Sequence, residues 1–228
     1  LPSKTLIGAL FLQCWYGLSD PMTEELIHDR ISFRKFLDIK DEDTIPDETT
    51  ICKFRNALMR ENLLEMIFAE VRTQMMEKNL ILNEGTLVDA TLIHASEPKR
   101  KKDEYGNVIS NEAHDTDATY TSKRGVKHHG YKMHIATDRA GLVTEVKPTT
   151  AKVHDSQMID ALTQNETKAI FADSGYMSKE RKRLLRSKGI FNGVIERRVR
   201  GQKELSAKQS KNNQRFSKIR SIVEMPFA

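Results

Sequence analysis

The chain has 228 residues, of which 38% are hydrophobic and 30% are charged, a balance that is typical of folded globular proteins and excludes a disordered chain. Its length allows one large domain or two small ones, and its longest apolar run is too short to span a membrane. With two cysteines and no secretory signal, we expect neither a disulfide framework nor export, and we predict a cytoplasmic protein.

The charge is distributed unevenly along the chain. Residues 1–82 hold 10 Lys and Arg against 14 Asp and Glu, whereas residues 83–228 hold 27 against 18. In the densest basic block, 197–220, only Glu204 opposes nine cations. Such a block could contact nucleic-acid phosphates or could be a solvated basic loop, and charge alone leaves both interpretations open.

Apolar residues at helical spacing predict four short helices in the first 80 residues. The predicted helices cover 6–18, 23–37, a stretch after Asp47, and 62–78. Thr23 and Asp47 are the expected caps of the second and third helices. The third helix presents Lys53 and Arg55 on its other faces, which would suit helix-turn-helix docking into DNA, although packing alone explains the pattern equally well.

From about residue 80 the pattern changes to strands mixed with helices. The elements predicted in order are a strand at 86–93, a hairpin at 130–147 with its turn at 138–141, a helix beginning at Asp155 or Ser156, a strand at 167–172, a basic helix at 178–188, a strand at 190–195 and a final helix at 212–227. The polar segment 97–125 predicts a long surface loop. This order indicates an α+β or three-layer α/β domain at 83–228, a mixed sheet flanked by helices, after an all-helical domain at 1–82.

Two acidic residues are placed where strands are predicted. Asp89 lies inside the apolar run 87–93, and a carboxylate there costs several kcal/mol unless a cation or hydrogen-bond donors compensate; alternation could instead turn Asp89 to solvent. Asp173 follows the apolar stretch 169–172 and precedes a Ser-Gly bend. The carboxyl end of a strand is a good place to hold a ligand, and an ordinary turn residue would fit equally well.

A third acid, Glu224, follows Arg220 by four residues on the predicted final helix. This spacing puts both side chains on one face and would also suit a simple surface ion pair. Carboxylates from two strands and a late helix could converge, and three crowded carboxylates repel and raise each other's pKa unless cations relieve them. Two Mg²⁺ ions about 3.5–4 Å apart could do so and assist an in-line displacement at phosphorus.

Four stretches in this order resemble the DDE transposases of bacterial insertion sequences, of the IS-five type. They are 46–55, 87–93, 171–176 and the Arg220-x-x-x-Glu224 motif, and 127–132 and 153–156 are similar to two further family stretches. The resemblance covers essentially the whole chain. It implies a ribonuclease-H-like fold for the domain at 83–228.

The resemblance also implies the chemistry. Asp89, Asp173 and Glu224 would be the catalytic residues and would hold two Mg²⁺ or Mn²⁺ ions. They would cleave transposon ends and transfer the freed strands to target DNA, in a bacterial, nucleoid-associated homodimer bound to double-stranded DNA. The residues expected to contact DNA are Arg220, Lys132, Lys127, Arg197, Arg198, Arg200, Arg215, Lys218, Lys53 and Arg55.

The chain departs from the family pattern in two places. Ser217 stands where the family usually has a tyrosine, and the family's lysine after the glutamate would fall at position 231, past the last residue. Because the chain also begins at Leu1 without a methionine, we expect a piece trimmed at both ends. Two alternatives therefore stay open: a DNA-binding transposase remnant without catalysis, and a general ribonuclease-H-like nuclease.

Overall fold

The computed structural model describes residues 1–96, 99–102, 104–105, 108–112, 115–123, 125–198 and 201–227. The chain divides into two compact units, Leu1–Gln74 and Met75–Ala228, ahead of the boundary expected between residues 82 and 83. In the part that the structure describes, no helix is long and apolar enough to cross a bilayer.

The first unit is helical, as expected, and packs around a small apolar core. Its helices are α1 (Ser3–Tyr16), α2 (Asp20–Asp29), α3 (Ile31–Phe36), α4 (Glu48–Arg60) and the greater part of α5 (Leu63–Glu77). The core contains Ala9, Leu12, Ile27, Phe33 and Leu37. Five helices stand where four were predicted.

The additional helix arises because the second predicted helix is interrupted. Arg30 has an extended backbone conformation, with φ −98° and ψ 111°, so α2 ends there and α3 begins after it. The prediction that Thr23 caps this helix is wrong. Ser19 is the cap and accepts the N–H of Met22, while the Thr23 hydroxyl lies inside α2 and donates to the Ser19 carbonyl. Asp47 does cap α4, as predicted, by accepting a hydrogen bond from the N–H of Thr50.

The second unit is built on a six-stranded mixed sheet. Its strands are β1 (Thr86–His94), β4 (Thr119–Lys123), β5 (Val126–Thr137), β6 (Val143–Thr150), β7 (Ala169–Ala172) and β8 (Phe191–Asn192), and a separate hairpin pairs β2 (Lys99–Lys102) with β3 (Val108–Glu112). The order is β4-β5-β1-β7-β8, with β6 also pairing with β5. Strands β1, β7 and β8 run parallel, and β5 is antiparallel to β1, β4 and β6. The predicted ribonuclease-H-like class, a mixed sheet preceded by a helical unit, is confirmed.

The prediction of a long loop at 97–125 is wrong for the residues described there. They include the β2–β3 hairpin and β4, which extends the sheet by pairing with the first part of β5. The sequence of β4 is polar because the strand lies largely at the surface. Its backbone N–H and C=O groups form hydrogen bonds with β5 rather than with water. The pairing that makes this a strand is therefore tertiary and leaves little local signal.

Helices cover the sheet in the second unit. They are α6 (Ile159–Leu162), α7 (Lys179–Ser187) and α8 (Ala207–Arg220), with 3-10 helices at Asp155–Gln157, Ser174–Tyr176 and Ser221–Phe227. Ser178, the predicted first residue of the basic helix, is the N-cap of α7 and accepts the N–H of Arg181. The expectation that Asp155 or Ser156 caps a helix is wrong, since the His154 ring accepts the N–H of Ser156 and caps a 3-10 helix.

Two apolar clusters lie on the two faces of the sheet. Val88 and Ala172 face α6 and α7 and pack with Leu185 and other buried residues. Leu87 and Phe171, one position earlier on the same strands, pack with Phe216 of α8 on the other face. Side chains alternate between faces along a strand, so one strand contributes to both clusters. The sheet is thus the middle layer of three.

The C-terminal segment differs from the predicted single helix. Helix α8 ends at Arg220, and Ser221–Phe227 is a 3-10 helix that contains Pro226. Proline has no N–H to donate and disfavours the α conformation in the residue before it, so an α-helix would not continue through Pro226 to residue 227 as predicted. Glu224 therefore lies on a 3-10 helix. The strand predicted at 190–195 is also shorter, Phe191–Asn192.

Candidate active site

Two of the predicted acids lie side by side at one edge of the sheet. Strands β1 and β7 are parallel neighbours, and Val88 pairs with Ala172. Asp89 is the next residue of β1, and Asp173 directly follows the end of β7. Neighbouring strands are about 4.8 Å apart. Because side chains alternate between the two faces of a sheet, both acids are expected on the same face as Leu87 and Phe171. Helix α8 covers this face.

Arg220 at the end of α8 joins Asp89 to the third acid. Its Nη1 donates to Oδ2 of Asp89 at 2.8 Å, and its Nη2 donates to Oε1 of Glu224 at 2.9 Å. The pair with Glu224 is the (i, i+4) contact that the sequence predicted. One planar guanidinium spans the two carboxylates, so the two accepting oxygens are no more than about 8 Å apart.

The environment of Asp89 is the more enclosed of the two. Its side chain is 23% exposed and that of Glu224 is 58% exposed. Burial raises the pKa of Asp89 above its usual range; the N–H of Ala90 and the guanidinium of Arg220 oppose this, and the nearby Asp173 carboxylate adds to it. The two aspartates therefore interact electrostatically.

Tyr176 lies in the 3-10 helix that follows Asp173 and was not predicted as a site residue. Its ring is buried, and its hydroxyl has no hydrogen-bond partner among the described residues. Burial, together with the charges of Asp155, Asp89 and Asp173, raises the pKa of this hydroxyl. The hydroxyl therefore stays neutral and keeps its proton as an unused hydrogen-bond donor. Its position in the 171–176 stretch was the available signal.

The three acids have the residue types expected for a metal site but not the spacing. Carboxylate oxygens from Asp89, Asp173 and Glu224 are the donors that Mg²⁺ and Mn²⁺ prefer, so the residue types fit. Among the residues the structure describes, however, no three acids or histidines are at metal-ligand spacing. The Arg220 guanidinium stands between Asp89 and Glu224 and compensates both charges, in the way that a cation would.

The two predicted DNA contacts on β5 are placed differently from each other. Lys132 is largely buried, and its ammonium donates to the Val153 carbonyl at 2.7 Å and to Asp155 at 2.8 Å. Lys127 is exposed at the start of β5, eight residues from Ile135, the partner of Asp89. That separation is about 27 Å along a strand, so Lys127 is not part of the carboxylate cluster.

The remaining predicted DNA contacts are mostly surface cations. Arg215 and Lys218 lie exposed on α8, and Arg197 and Arg198 precede it, with Arg198 donating to the Lys203 carbonyl. Arg200 lies outside the described residues.

Within the helical unit, the two predicted contacts on α4 also differ from each other. Lys53 is exposed, whereas Arg55 forms an internal bidentate pair with Asp20, at 2.7 and 2.5 Å, and also donates to Gln13.

Comparison with known protein families identifies the chain. Residues 82–228 match the family described as Transposase DDE domain, and residues 1–57 match the family described as Transposase domain (DUF772). The chain belongs to the Transposase DDE domain family. As a DDE transposase, it is an enzyme of DNA transposition in a family whose chemistry uses divalent metal ions.

Solved transposase structures give weaker matches to this DDE transposase. The Mos1 strand transfer complex is 11% identical, with a TM-score of 0.29, and the match covers 91% of this chain and 76% of that one. The Mos1 mariner paired-end complex with Mn has 11% identity and a TM-score of 0.30 over 92% and 76% of the two chains. A Mos1 paired-end complex with the left transposon end has 12% identity and a TM-score of 0.27 over 90% and 78%.

Proposed function

We propose that Asp89, Asp173 and Glu224 are the catalytic carboxylates with which this transposase cuts the ends of an insertion sequence and joins them to target DNA. The observation that carries this proposal is the contact of Asp89 and Glu224 with one guanidinium, that of Arg220, beside Asp173 on the neighbouring strand. Membership of the DDE family supplies the reaction class.

The reaction has two displacements at phosphorus. In the first, a water oxygen attacks the phosphorus at the transposon end, and the bond from phosphorus to the 3′ oxygen breaks. The water loses a proton and the leaving oxygen gains one, which yields a 5′-phosphate and a 3′-hydroxyl. In the second, this 3′-hydroxyl oxygen attacks a target phosphodiester and loses its proton, while the target's 3′ oxygen leaves and gains one. Both steps are in-line substitutions.

We propose that two divalent cations, Mg²⁺ or Mn²⁺, take part, and when bound they would draw charge from the attacking and leaving oxygens. Asp89 and Asp173, as neighbours on parallel strands, would share these cations, and Glu224 would hold the second one. The role of Arg220 is then to keep Asp89 and Glu224 compensated and close together. Its Nε is buried and has no acceptor in the described chain, so both of the acidic contacts of Arg220 are made by its terminal nitrogens.

An exposed row of cations on α8, which we call the α8 row, would hold the DNA backbone. Lys208, Lys211, Arg215 and Lys218 recur at three- and four-residue intervals and so share one side of the helix. None of them has an acidic partner among the described residues. Helix α8 ends at Arg220, so the row leads towards the carboxylates. Such contacts position DNA without reading its sequence.

A cleavage assay tests the proposal. The substrate is a duplex carrying the ends that flank this gene in its own genome, incubated with the chain and either Mg²⁺ or Mn²⁺. We expect nicking at the end and strand transfer, with losses of a hundredfold or more in D89N, D173N and E224Q, as for other groups that act only in the transition state (roughly 10²–10⁴). D29N and E180Q, at exposed acids elsewhere, are the matched controls and should keep full activity.

The alternatives give different outcomes in the same assay. A binding remnant would bind the duplex in a salt-sensitive way without nicking it in either metal. A general nuclease would cut arbitrary duplexes and show no strand transfer. Full activity of D173N, or nicking that persists in EDTA, would contradict the proposed site.

The assembly and its location are part of the proposal. We propose that two copies of the chain act together on a pair of DNA ends, on the nucleoid of a bacterial cell. Sedimentation of the chain with an end duplex tests this assembly. A complex with the mass of one chain that still transfers strands would overturn the dimer.

A further inference from the structure

Three of the basic residues of helix α7 lie on one side of the helix. Lys179, Arg183 and Arg186 are spaced at i, i+4 and i+7, so they lie within about 60° of one another around the helix. All three are exposed. They span seven residues, or about 10 Å of helix. We call these three residues the α7 stripe.

The cations of the α7 stripe are uncompensated, unlike their neighbours. Arg181 is held by Asp160 at 2.8 Å, and Lys182 pairs with Glu196. For the side chains of the three stripe residues, the described chain offers no acidic partner and no hydrogen bond. An uncompensated row of three like charges repels itself in the free protein, and an anionic partner would relieve that repulsion.

The position of α7 connects the stripe to the candidate active site. Asp173 is followed by the 3-10 helix Ser174–Tyr176, and α7 begins three residues later, at Lys179. The helix therefore starts at the edge of the sheet where the carboxylates lie. Its Leu185 packs on the sheet face opposite to the one that Phe216 of α8 covers. The α7 stripe and the α8 row thus belong to different layers.

We propose that the α7 stripe is a second phosphate-binding surface for double-stranded DNA, separate from the α8 row. This inference rests on the proposed function, and it adds a contact to DNA beside the same carboxylates. The 10 Å length of the stripe matches about three phosphates of one strand, at 3.4 Å of helix axis each. Two of its three members are arginines, whose planar guanidinium groups suit bidentate contact with phosphate oxygens.

The experiment is a salt titration of DNA binding by the full chain. The probe is a labelled duplex of arbitrary sequence, about 30 base pairs or three helical turns long. Fluorescence anisotropy is measured in EDTA between about 50 and 200 mM KCl. We expect the slope of log K against log salt for the triple variant K179Q/R183Q/R186Q to be shallower by about 2–3, since each lost phosphate contact contributes about 0.9.

Two control variants accompany the triple variant. K188Q removes a cation from the opposite side of the same helical turn and should change the slope by well under one. The charge-preserving variant K179R/R183K/R186K should keep the wild-type slope. If it loses the slope as the glutamine variant does, the loss reflects altered folding and the proposal is overturned.

The outcomes separate this inference from the proposed function. If the wild type binds with a steep salt dependence and K179Q/R183Q/R186Q has the same slope, the α7 stripe does not touch DNA, and an acidic protein surface becomes its better partner. If the wild type shows no salt-dependent binding, both proposals fail. The binding titration is made in EDTA, where metal-dependent cleavage does not occur. Its result therefore does not depend on whether the chain nicks DNA in the cleavage assay.

Discussion

Replacing Arg220 by glutamine tests the central contact of the site. The substitution removes the cation that joins Asp89 and Glu224, which leaves two carboxylates close together without compensation. Glutamine keeps much of the side-chain volume, so the effect measures charge and hydrogen bonding more than packing. The loss of the guanidinium also removes an interaction that lowers the pKa of Asp89, so that pKa rises further.

The magnitude follows from the exposure of each partner. Arg220 is 19% exposed and Asp89 23%, so their charge-assisted hydrogen bond is worth about 1.5–3 kcal/mol. Glu224 is 58% exposed, and its bond adds at most about 1 kcal/mol. We therefore expect R220Q to lower the free energy of unfolding by about 2–3 kcal/mol. Urea denaturation in EDTA measures this difference.

Metal affinity is the second quantity that distinguishes R220Q from the wild type. A metal ion that binds both Asp89 and Glu224 must first displace the guanidinium of Arg220. The wild type therefore binds the metal ion more weakly than R220Q does, by the free energy of the guanidinium contacts. At about 2 kcal/mol the difference is roughly thirtyfold, since 1.4 kcal/mol is tenfold. We expect Mn²⁺, titrated by the electron paramagnetic resonance of the free ion, to bind R220Q at least tenfold more tightly than the wild type.

The contact of Arg220 with Asp89 and Glu224 also gives the control variant, R220K, and the result that would refute this reasoning. R220K keeps the charge but offers a single ammonium that cannot span both carboxylates, so it should fall between R220Q and the wild type in Mn²⁺ affinity. If R220Q binds Mn²⁺ no more tightly than the wild type, the guanidinium does not compete for these carboxylates and the reasoning is refuted.

Three further predictions concern stability. Arg55 and Gln13 hold the pKa of Asp20 at about 2, below its usual 3.8, so the stabilisation from this acid is present above about pH 4 and is lost as the pH falls through 2. Urea titrations should show the advantage of wild type over D20N, about 1 kcal/mol after solvent screening, vanishing over that range; a constant difference would contradict the linkage. In G130A the new Cβ would meet the Ile93 carbonyl oxygen at 2.0 Å, so we expect a loss of about 3 kcal/mol, and an unchanged urea midpoint would be the contrary result. In Y176F the unpartnered buried hydroxyl is removed, so thermal unfolding in EDTA should show equal or greater stability, by up to about 1–3 kcal/mol; a lower melting temperature would reveal a missed partner.

Much of the second unit could be predicted because its signals are local. The alternating run around Asp89, the turn after β5 and the capping serine before α7 each depend on residues next to one another in sequence. The contact of Arg220 with Glu224 is also local, since only four residues separate them, although a 3-10 helix and not the predicted α-helix carries Glu224. The family resemblance then supplied the order of the three acids.

Other features could not be predicted because they depend on distant partners. The polar residues of β4 become a strand only because β5 is available to accept their hydrogen bonds. The contact between Arg220 and Asp89 joins residues 131 positions apart, and no spacing rule indicates it. Likewise, Arg55 was predicted to contact DNA, and only the packing of α2 against α4 brings Asp20 within reach of it.

The sequence alone therefore determined which residue types carry the chemistry and which short segments hold them. It predicted Asp89, Asp173 and Glu224 as the carboxylates of the site, with Arg220 beside the last of them. Tertiary structure decided which charges are compensated. The guanidinium of Arg220 links two of these acids, whereas no acid of the described residues neutralises the cations of the α7 stripe. The physical reason is that propensity and periodicity act over a few residues, whereas the electrostatic environment of a side chain depends on every element packed around it.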